Sequence, residues 1–171
     1  MLNRLAFGFY KLLLVLSGLA MVATFVTIML NISARIFGWN LPGLDGYAGY
    51  AIAAALFLAL PATLQNNEHI RATLLLDHVS PGVKGKMETV ALLLGVGISA
   101  YLAWFAVRLV WVSYTLHDVA ATGDATPLWI PQLSMALGCV GFALAFVQAL
   151  WSRFSGQPFF AAASAESMHA D

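Results

Sequence analysis

The chain has 171 residues, of which 61% are hydrophobic and 9% are charged, and its mean hydropathy is +0.83. An ordinary soluble domain is about 25% charged, and a chain of this length has too small an interior to hide so much apolar surface. The bilayer must therefore be the solvent for most of the chain. The formal net charge is zero, which gives no sign of a nucleic-acid partner.

Four stretches are apolar and long enough to cross the hydrocarbon core, which takes roughly 20 residues at about 1.5 Å each. They cover residues 12–32, 47–64, 89–114 and 130–151. The first stretch is longer than the apolar region of a signal peptide and lacks a cleavage site directly after it, so we expect an uncleaved helix. The predicted fold is all-α, an integral membrane four-helix bundle over residues 1–155, followed by a flexible tail at 156–171.

Lysine and arginine are divided unequally between the two sides of this predicted domain. With four spans, both termini and the middle connection share one side, which holds Arg4, Lys11, Arg71, Lys84, Lys86 and Arg153. The other side has Arg35 and, near the end of the third span, Arg108. Because basic residues beside a span resist translocation, the sequence predicts that both termini are cytoplasmic.

Ionisable side chains are nearly missing from the predicted spans, where they would be energetically costly and usually functional. Arg108 is the exception, and it either extends to the interface or pairs with a carboxylate, which could be Asp118 of this chain or belong to a partner. The four histidines lie outside the spans or at their edge, where none is placed to ligate a haem between helices. The single cysteine, Cys139, is expected to be a packing residue. No catalytic, cofactor or metal site is predicted, and the chain is expected to pack against another protein.

The densest charge lies between the second and third spans, in the segment NNEHIRATLLLDHV at residues 66–79. Its apolar residues recur at roughly helical spacing: Ile70, Leu74, Leu75 and Val79. A run this short cannot cross a bilayer, so we expect a short helix along the interface that ends at Ser80-Pro81-Gly82. The alternative is a polar elbow without a helix.

Small residues recur every four positions on two of the spans, which allows helices to approach closely in lipid. These stripes are Ala51, Ala55 and Ala59 on the second span, and Gly95, Ser99 and Ala103 on the third. They could seal the chain's own bundle, which would leave bulkier residues such as Phe57, Phe105 and Leu109 for a partner. The sequence also allows the reverse arrangement.

Three segments together resemble the small membrane subunit of TRAP transporters, the DctQ type. They are GLDGYAGYAIAAALFLAL, NNEHIRATLLLDHVSP and TPLWIPQLSMALG, the last similar to a Pro-x-Trp-x-Pro pattern at the start of the fourth span. The matching positions are Asp45, Gly49, Tyr50, Glu68, His69, Ile70 and Arg71. Gly46 and Ala72 depart from the family's usual acidic residue and valine, so position 46 has no carboxylate for an ionic contact.

The resemblance implies a non-catalytic transporter subunit in a bacterial inner membrane. Its partners would be a large DctM-type subunit, which holds the sodium and substrate sites, and a periplasmic binding protein that delivers an organic acid. The small subunit would scaffold the large one and need no cofactor. The residues expected at partner interfaces are Arg35, Asp45, Tyr50, His69, Arg71, Arg108 and Trp129.

Other classes of membrane protein make different demands on the sequence. A membrane anchor of a redox enzyme is the main alternative, and it would bind haem or quinone. A small multidrug exporter would need a carboxylate in mid-membrane, which the sequence lacks. An enzyme acting on lipid would need clustered catalytic groups at one interface, where Thr73 and Ser80 are the only hydroxyl candidates.

Overall fold

The computed structural model describes residues 2–65, 81–121 and 125–155, and in these ranges it has four long helices. They are α1 (Leu2–Phe37), α2 (Leu44–Gln65), α3 (Pro81–Thr115) and α4 (Trp129–Ser155). Their stretches long and apolar enough to cross a membrane are Ala6–Phe37, Leu44–Gln65, Gly85–Thr115 and Trp129–Ser155.

The prediction of an all-α chain with four membrane-spanning helices is thus confirmed. Helices suit the bilayer because each satisfies its own backbone hydrogen bonds. In the described ranges, the nearest approach to a strand is one isolated antiparallel bridge, between Val119 and Pro127. The predicted interfacial helix and the predicted flexible tail both lie outside the described residues.

Two of the helices end in a backbone turn that uses the left-handed conformation. Gly38 has φ of 70° after α1, and the next amide donates back to the Ala34 carbonyl over 2.8 Å. At the end of α3, His117 has φ of 55° and the Asp118 amide donates to the Ser113 carbonyl over 3.0 Å. Both are the arrangement in which a helix end satisfies its last carbonyls before the chain turns.

The four helices pack in an order that differs from their order in the chain. α2 packs against α1 and α4, and α3 packs mainly against α4 rather than against α2. The inner helices are therefore α2 and α4, and the outer ones α1 and α3. We call the end that carries the start of α1 and the end of α4 the terminal end. The opposite end, with residues 38–43, 116–121 and 125–128, is the loop end.

Small residues on α4 let this helix approach its neighbours closely. The buried glycines and alanines are Ala136, Gly138, Gly141, Ala145 and Ala149. A Cβ added at Gly138 would collide with the backbone carbonyl of Phe57 on α2. A Cβ at Gly141 would lie 2.9 Å from the Pro61 ring, also on α2. Dispersion contacts of this kind drive association in lipid, where burial of apolar surface gives no advantage over lipid contact.

The small-residue stripe of the third span faces α4 inside the same chain. A Cβ at Gly95 would collide with the Phe146 ring, and Ser99 is 1% exposed. Ala103 packs on a cluster formed by Ala106, Ala136 and Cys139. The sequence allowed this stripe to pack either inside the chain or against a partner, and in the structure it packs inside the chain. Cys139 is buried in that cluster as a free thiol.

The second span divides its residues between two neighbours. The Ser17 hydroxyl of α1 donates to the Ala55 carbonyl over 2.7 Å, and Ala55 and Ala59 of the alanine stripe line the groove between α1 and α2. Phe57 packs on the α3–α4 cluster and belongs to the core, not to a free surface. Phe105 and Leu109 on α3 stay exposed. The bulky residues left uncovered by this chain are therefore concentrated on the outer helices.

We predict that Gly138→Ala destabilises the fold by about 1–3 kcal/mol, because the new methyl group overlaps the Phe57 backbone, which cannot move without shifting α2. Thermal unfolding of the purified protein in mild detergent, followed by circular dichroism, measures this. Gly97→Ala is the matched control, since a Cβ there meets nothing within 4 Å. It should change stability by no more than about 0.5 kcal/mol. Equal effects of the two substitutions would contradict the close α2–α4 approach.

Candidate partner interface

The loop end is held together by a side-chain bond between α1 and α2. Asn31 Nδ2, near the end of α1, donates to Asp45 Oδ1 in the first turn of α2. A carboxylate in a first helical turn also interacts favourably with the positive end of the helix dipole. Asp45 is exposed, but its carboxylate has a structural role within the chain. Its predicted contact with a partner stays a prediction.

The connection between α3 and α4 folds back on itself at this end. The Ala120 amide donates to the Thr126 carbonyl over 2.8 Å, and the Leu128 amide donates to the Asp118 carbonyl over 3.0 Å. The Thr126 and Tyr47 hydroxyls lie 3.0 Å apart, within hydrogen-bond distance. The connection is therefore attached to the start of α2, and the loop end forms one surface from all four helices' ends.

Aromatic side chains line the same surface. The Tyr50 ring meets the Tyr47 ring edge-on at a centroid distance of 6.2 Å. The Trp129 ring meets the Tyr114 ring in the same way at 5.7 Å. Rings of this kind suit the headgroup level, where one edge is apolar and the other meets water. Both predicted interface residues, Tyr50 and Trp129, are half-buried by these neighbours.

Two predicted cations, Arg35 and Arg108, are exposed at different depths. Arg35 lies in the last turn of α1, at the loop end. Arg108 lies on α3 about 10 Å before the helix ends, at 1.5 Å per residue. Within the described ranges neither makes an ion pair, so the pairing of Arg108 with Asp118 is not seen. His69 and Arg71, the remaining predicted contacts, lie outside the described residues.

The outward face of α3 combines Arg108 with three large aromatic residues. Tyr101, Trp104 and Trp111 share its face at helical spacing. Trp104 and Trp111 are each 69% exposed and Tyr101 is 64% exposed. Trp104 lies eleven residues before the end of α3, or about 16 Å, which is mid-depth in a core about 30 Å thick. Tryptophan prefers the headgroup level, so an uncovered indole at mid-depth is unusual for a face that meets only lipid.

Polar groups between the described helices are few, and the serine hydroxyls among them bond backbone carbonyls of this chain. Besides the Ser17 bond, the Ser99 hydroxyl donates to the Val96 carbonyl of its own helix over 3.2 Å. The groove between α1 and α2, with a volume of about 500 Å³, is walled mainly by aliphatic residues and has only hydroxyls as polar groups. No group of three His, Cys, Asp or Glu residues in the described ranges could hold a metal ion.

The terminal end has its own polar contacts. The Tyr10 hydroxyl donates to Gln148 Oε1 over 2.8 Å and joins α1 to α4. Arg153 donates to the Gly85 carbonyl over 3.3 Å and lies 3.8 Å from the Glu88 carboxylate, which joins α4 to α3. Both ends of the helix assembly are thus tied by side-chain hydrogen bonds, while its middle is held by packing and by the Ser17–Ala55 bond.

Comparison with known protein families shows which family this four-helix chain belongs to. Residues 24–156, most of the chain, match the family described as Tripartite ATP-independent periplasmic transporters, DctQ component. The chain belongs to the DctQ family. No curated protein and no solved structure matches it. The sequence resemblance is confirmed, and the chain is the small membrane component of a TRAP transporter. The match gives no support to a redox anchor, and the family is a transporter component, not an enzyme.

The sequence did not predict the two side-chain hydrogen bonds, Asn31–Asp45 and Tyr47–Thr126, that join the elements of this DctQ chain's loop end. Asn31 and Asp45 lie on either side of the first connection, but Arg35 and Asn40 lie between them, so nothing in the sequence marked these two as partners. Tyr47 and Thr126 are far apart in the chain, and nothing in their spacing indicates that they meet.

We predict that Tyr47→Phe loosens the α3–α4 connection, because it removes the hydroxyl that bonds Thr126. A neutral hydrogen bond contributes about 0.5–1.5 kcal/mol, so the Ala120 and Leu128 amides should exchange hydrogen about two- to tenfold faster. Hydrogen exchange with mass spectrometry measures the rates. Tyr114→Phe is the control, since it keeps the ring against Trp129 and loses a hydroxyl without a partner in the described ranges. Unchanged exchange in Tyr47→Phe would show that the tie is not needed.

Proposed function

We propose that this DctQ subunit scaffolds the large substrate-translocating subunit of a TRAP transporter and does not itself carry the solute. The observation that carries this proposal is the contrast between its interior and its surface. The described helices meet through small residues and serine hydroxyls, with few polar groups that a solute could bind. Their outer faces present large aromatic and aliphatic side chains, which suit contact with another membrane protein.

The face of α3 that carries Trp104 and Arg108 is the surface proposed to meet the large subunit. An indole at mid-depth gains dispersion contacts from a second protein. A guanidinium inside a span is stabilised by a carboxylate or by backbone carbonyls of a partner helix. In support of this, α3 packs mainly on one of the described helices, and the side chains on this face are exposed.

The loop end is proposed to face the periplasm, with both termini in the cytoplasm of a bacterium and the four helices in its inner membrane. The excess of lysine and arginine at the terminal end supports this orientation. Arg35 and Asp45 would then lie on the surface that a periplasmic binding protein can reach. Tyr50 and Trp129 would set the depth of this end in the bilayer.

The transported solute is proposed to be an organic acid taken up together with sodium. Support for both comes from the family resemblance, and both sites would belong to the large subunit. His69 and Arg71 are proposed to fix the cytoplasmic level of the small subunit, where an arginine can bond lipid phosphates or a partner carboxylate. No catalytic step is assigned to this chain.

We predict that Trp104→Ala lowers recovery of the large subunit about fivefold or more, because interface tryptophans often contribute more than 1 kcal/mol to binding. The tagged small subunit is co-expressed with the large one and purified in mild detergent, and the bound partner is quantified by mass spectrometry.

Trp151→Ala is the matched control. Trp151 is 74% exposed, but it lies on α4 near the terminal end, away from the proposed face. Its loss should leave recovery of the large subunit within about twofold of the original. If both variants recover the large subunit as well as the original chain, the proposed face is wrong. If no multispan partner co-purifies with the original chain, the scaffold proposal itself fails.

A further inference from the structure

A cavity at the terminal end opens between α1 and the end of α2. Its volume is about 320 Å³, and it is lined by Phe7, Gly8, Tyr10, Lys11 and Leu14 of α1 and by Ala62 and Gln65 of α2. Phe7, Lys11 and Leu14 are exposed, so the cavity faces the outside of the helix pair. It is far from the Trp104 face on α3, and none of the functions assigned above uses it.

Two nitrogen donors belong to this cavity's lining. Gln65 is only 6% exposed, and its Nε2 is buried without a hydrogen-bond partner in the part of the chain that the structure describes. A buried amide left without a partner is destabilising, typically by about 1–3 kcal/mol, and therefore calls for an acceptor. Lys11 is exposed and has no ion pair within the described ranges. The Tyr10 hydroxyl is already occupied, since it donates to Gln148.

The depth of the cavity in the membrane indicates which kind of hydrogen-bond acceptor could reach Lys11 and Gln65. Lys11 lies five residues, about 8 Å, inside the start of the stretch Ala6–Phe37 that is apolar enough to span. A lysine at this depth extends its ammonium group toward the headgroup level. The remaining walls are apolar, and Gly8 has no atom within 4 Å of where its Cβ would be, which leaves room beside α1.

We propose that this cavity binds a phospholipid of the leaflet at the terminal end, with its phosphate at Lys11 and Gln65. A phosphodiester offers two anionic oxygens for one ammonium and one amide donor. The first part of an acyl chain fits against the apolar side chains of Phe7, Leu14 and Ala62. The lipid supplies the acceptor that the Gln65 amide lacks and fills the space between two helices that meet the membrane there.

The test uses the purified full chain, stripped of lipid in detergent and titrated with phosphatidylglycerol, with native mass spectrometry to measure the first bound lipid. Lys11→Gln should weaken this binding about tenfold or more, since bonds to charged groups contribute about 1.5–3 kcal/mol. Lys86→Gln is the matched control, because this exposed lysine lies on α3 and does not line the cavity. It should bind phosphatidylglycerol as the original chain does.

Gln65→Leu separates binding from folding. It removes a buried donor without a partner, so the lipid-free protein should unfold at the same or a higher temperature while its affinity for phosphatidylglycerol falls. Diacylglycerol, which has the acyl chains but no phosphate, should bind the original chain about tenfold more weakly than phosphatidylglycerol. Equal phosphatidylglycerol binding by Lys11→Gln and the original chain would overturn the proposal. Equal binding of the two lipids would overturn it as well.

Discussion

The close approach of α4 to α2 at Gly138 and Gly141 is the contact on which the rest of the assembly depends. In lipid, apolar side chains gain nothing from leaving the solvent, so helices associate where their surfaces fit closely. The two glycines put the Phe57 backbone and the Pro61 ring directly against α4. Because α1 packs on α2 and α3 packs on α4, the contact between α2 and α4 joins the α1–α2 pair to the α3–α4 pair. Hydrogen bonds at both ends then fix the relative height of the helices.

This way of packing explains the character of the outer surface. Small residues lie between the helices, and most of the large hydrophobic side chains that stay exposed lie on α1 and α3. Four helices packed in this way leave little space between the described helices for a polar path that a solute could follow. Their outer surface is broad and apolar, and aromatic side chains lie at the level of the lipid headgroups. Those properties suit a membrane subunit that is proposed to scaffold another membrane protein. The DctQ family match is consistent with this division of labour, since the family is one component of a tripartite transporter.

Hydropathy and span length were enough to predict four helices, because the bilayer permits little else for a long apolar run. The order of packing was out of reach, because small residues on α2, α3 and α4 look alike in sequence and only three-dimensional contacts assign their partners. The glycine stripe of α4 was missed for this reason, and Phe57 was considered for an outer surface although it lies in the core. His117 gave no clear signal either, since left-handed backbone is uncommon for any residue other than glycine. The segment 66–80, which carried much of the family resemblance, lies outside the described residues.

The central claim is that the solute passes through a companion chain and not through these four helices. Its most direct test is flux into vesicles that contain only this purified chain, under an inward sodium gradient, followed with radioactive sodium and labelled organic acids. The account predicts flux equal to that of protein-free vesicles for every species. Uptake of sodium or of an organic acid that rises with the amount of reconstituted chain would contradict it.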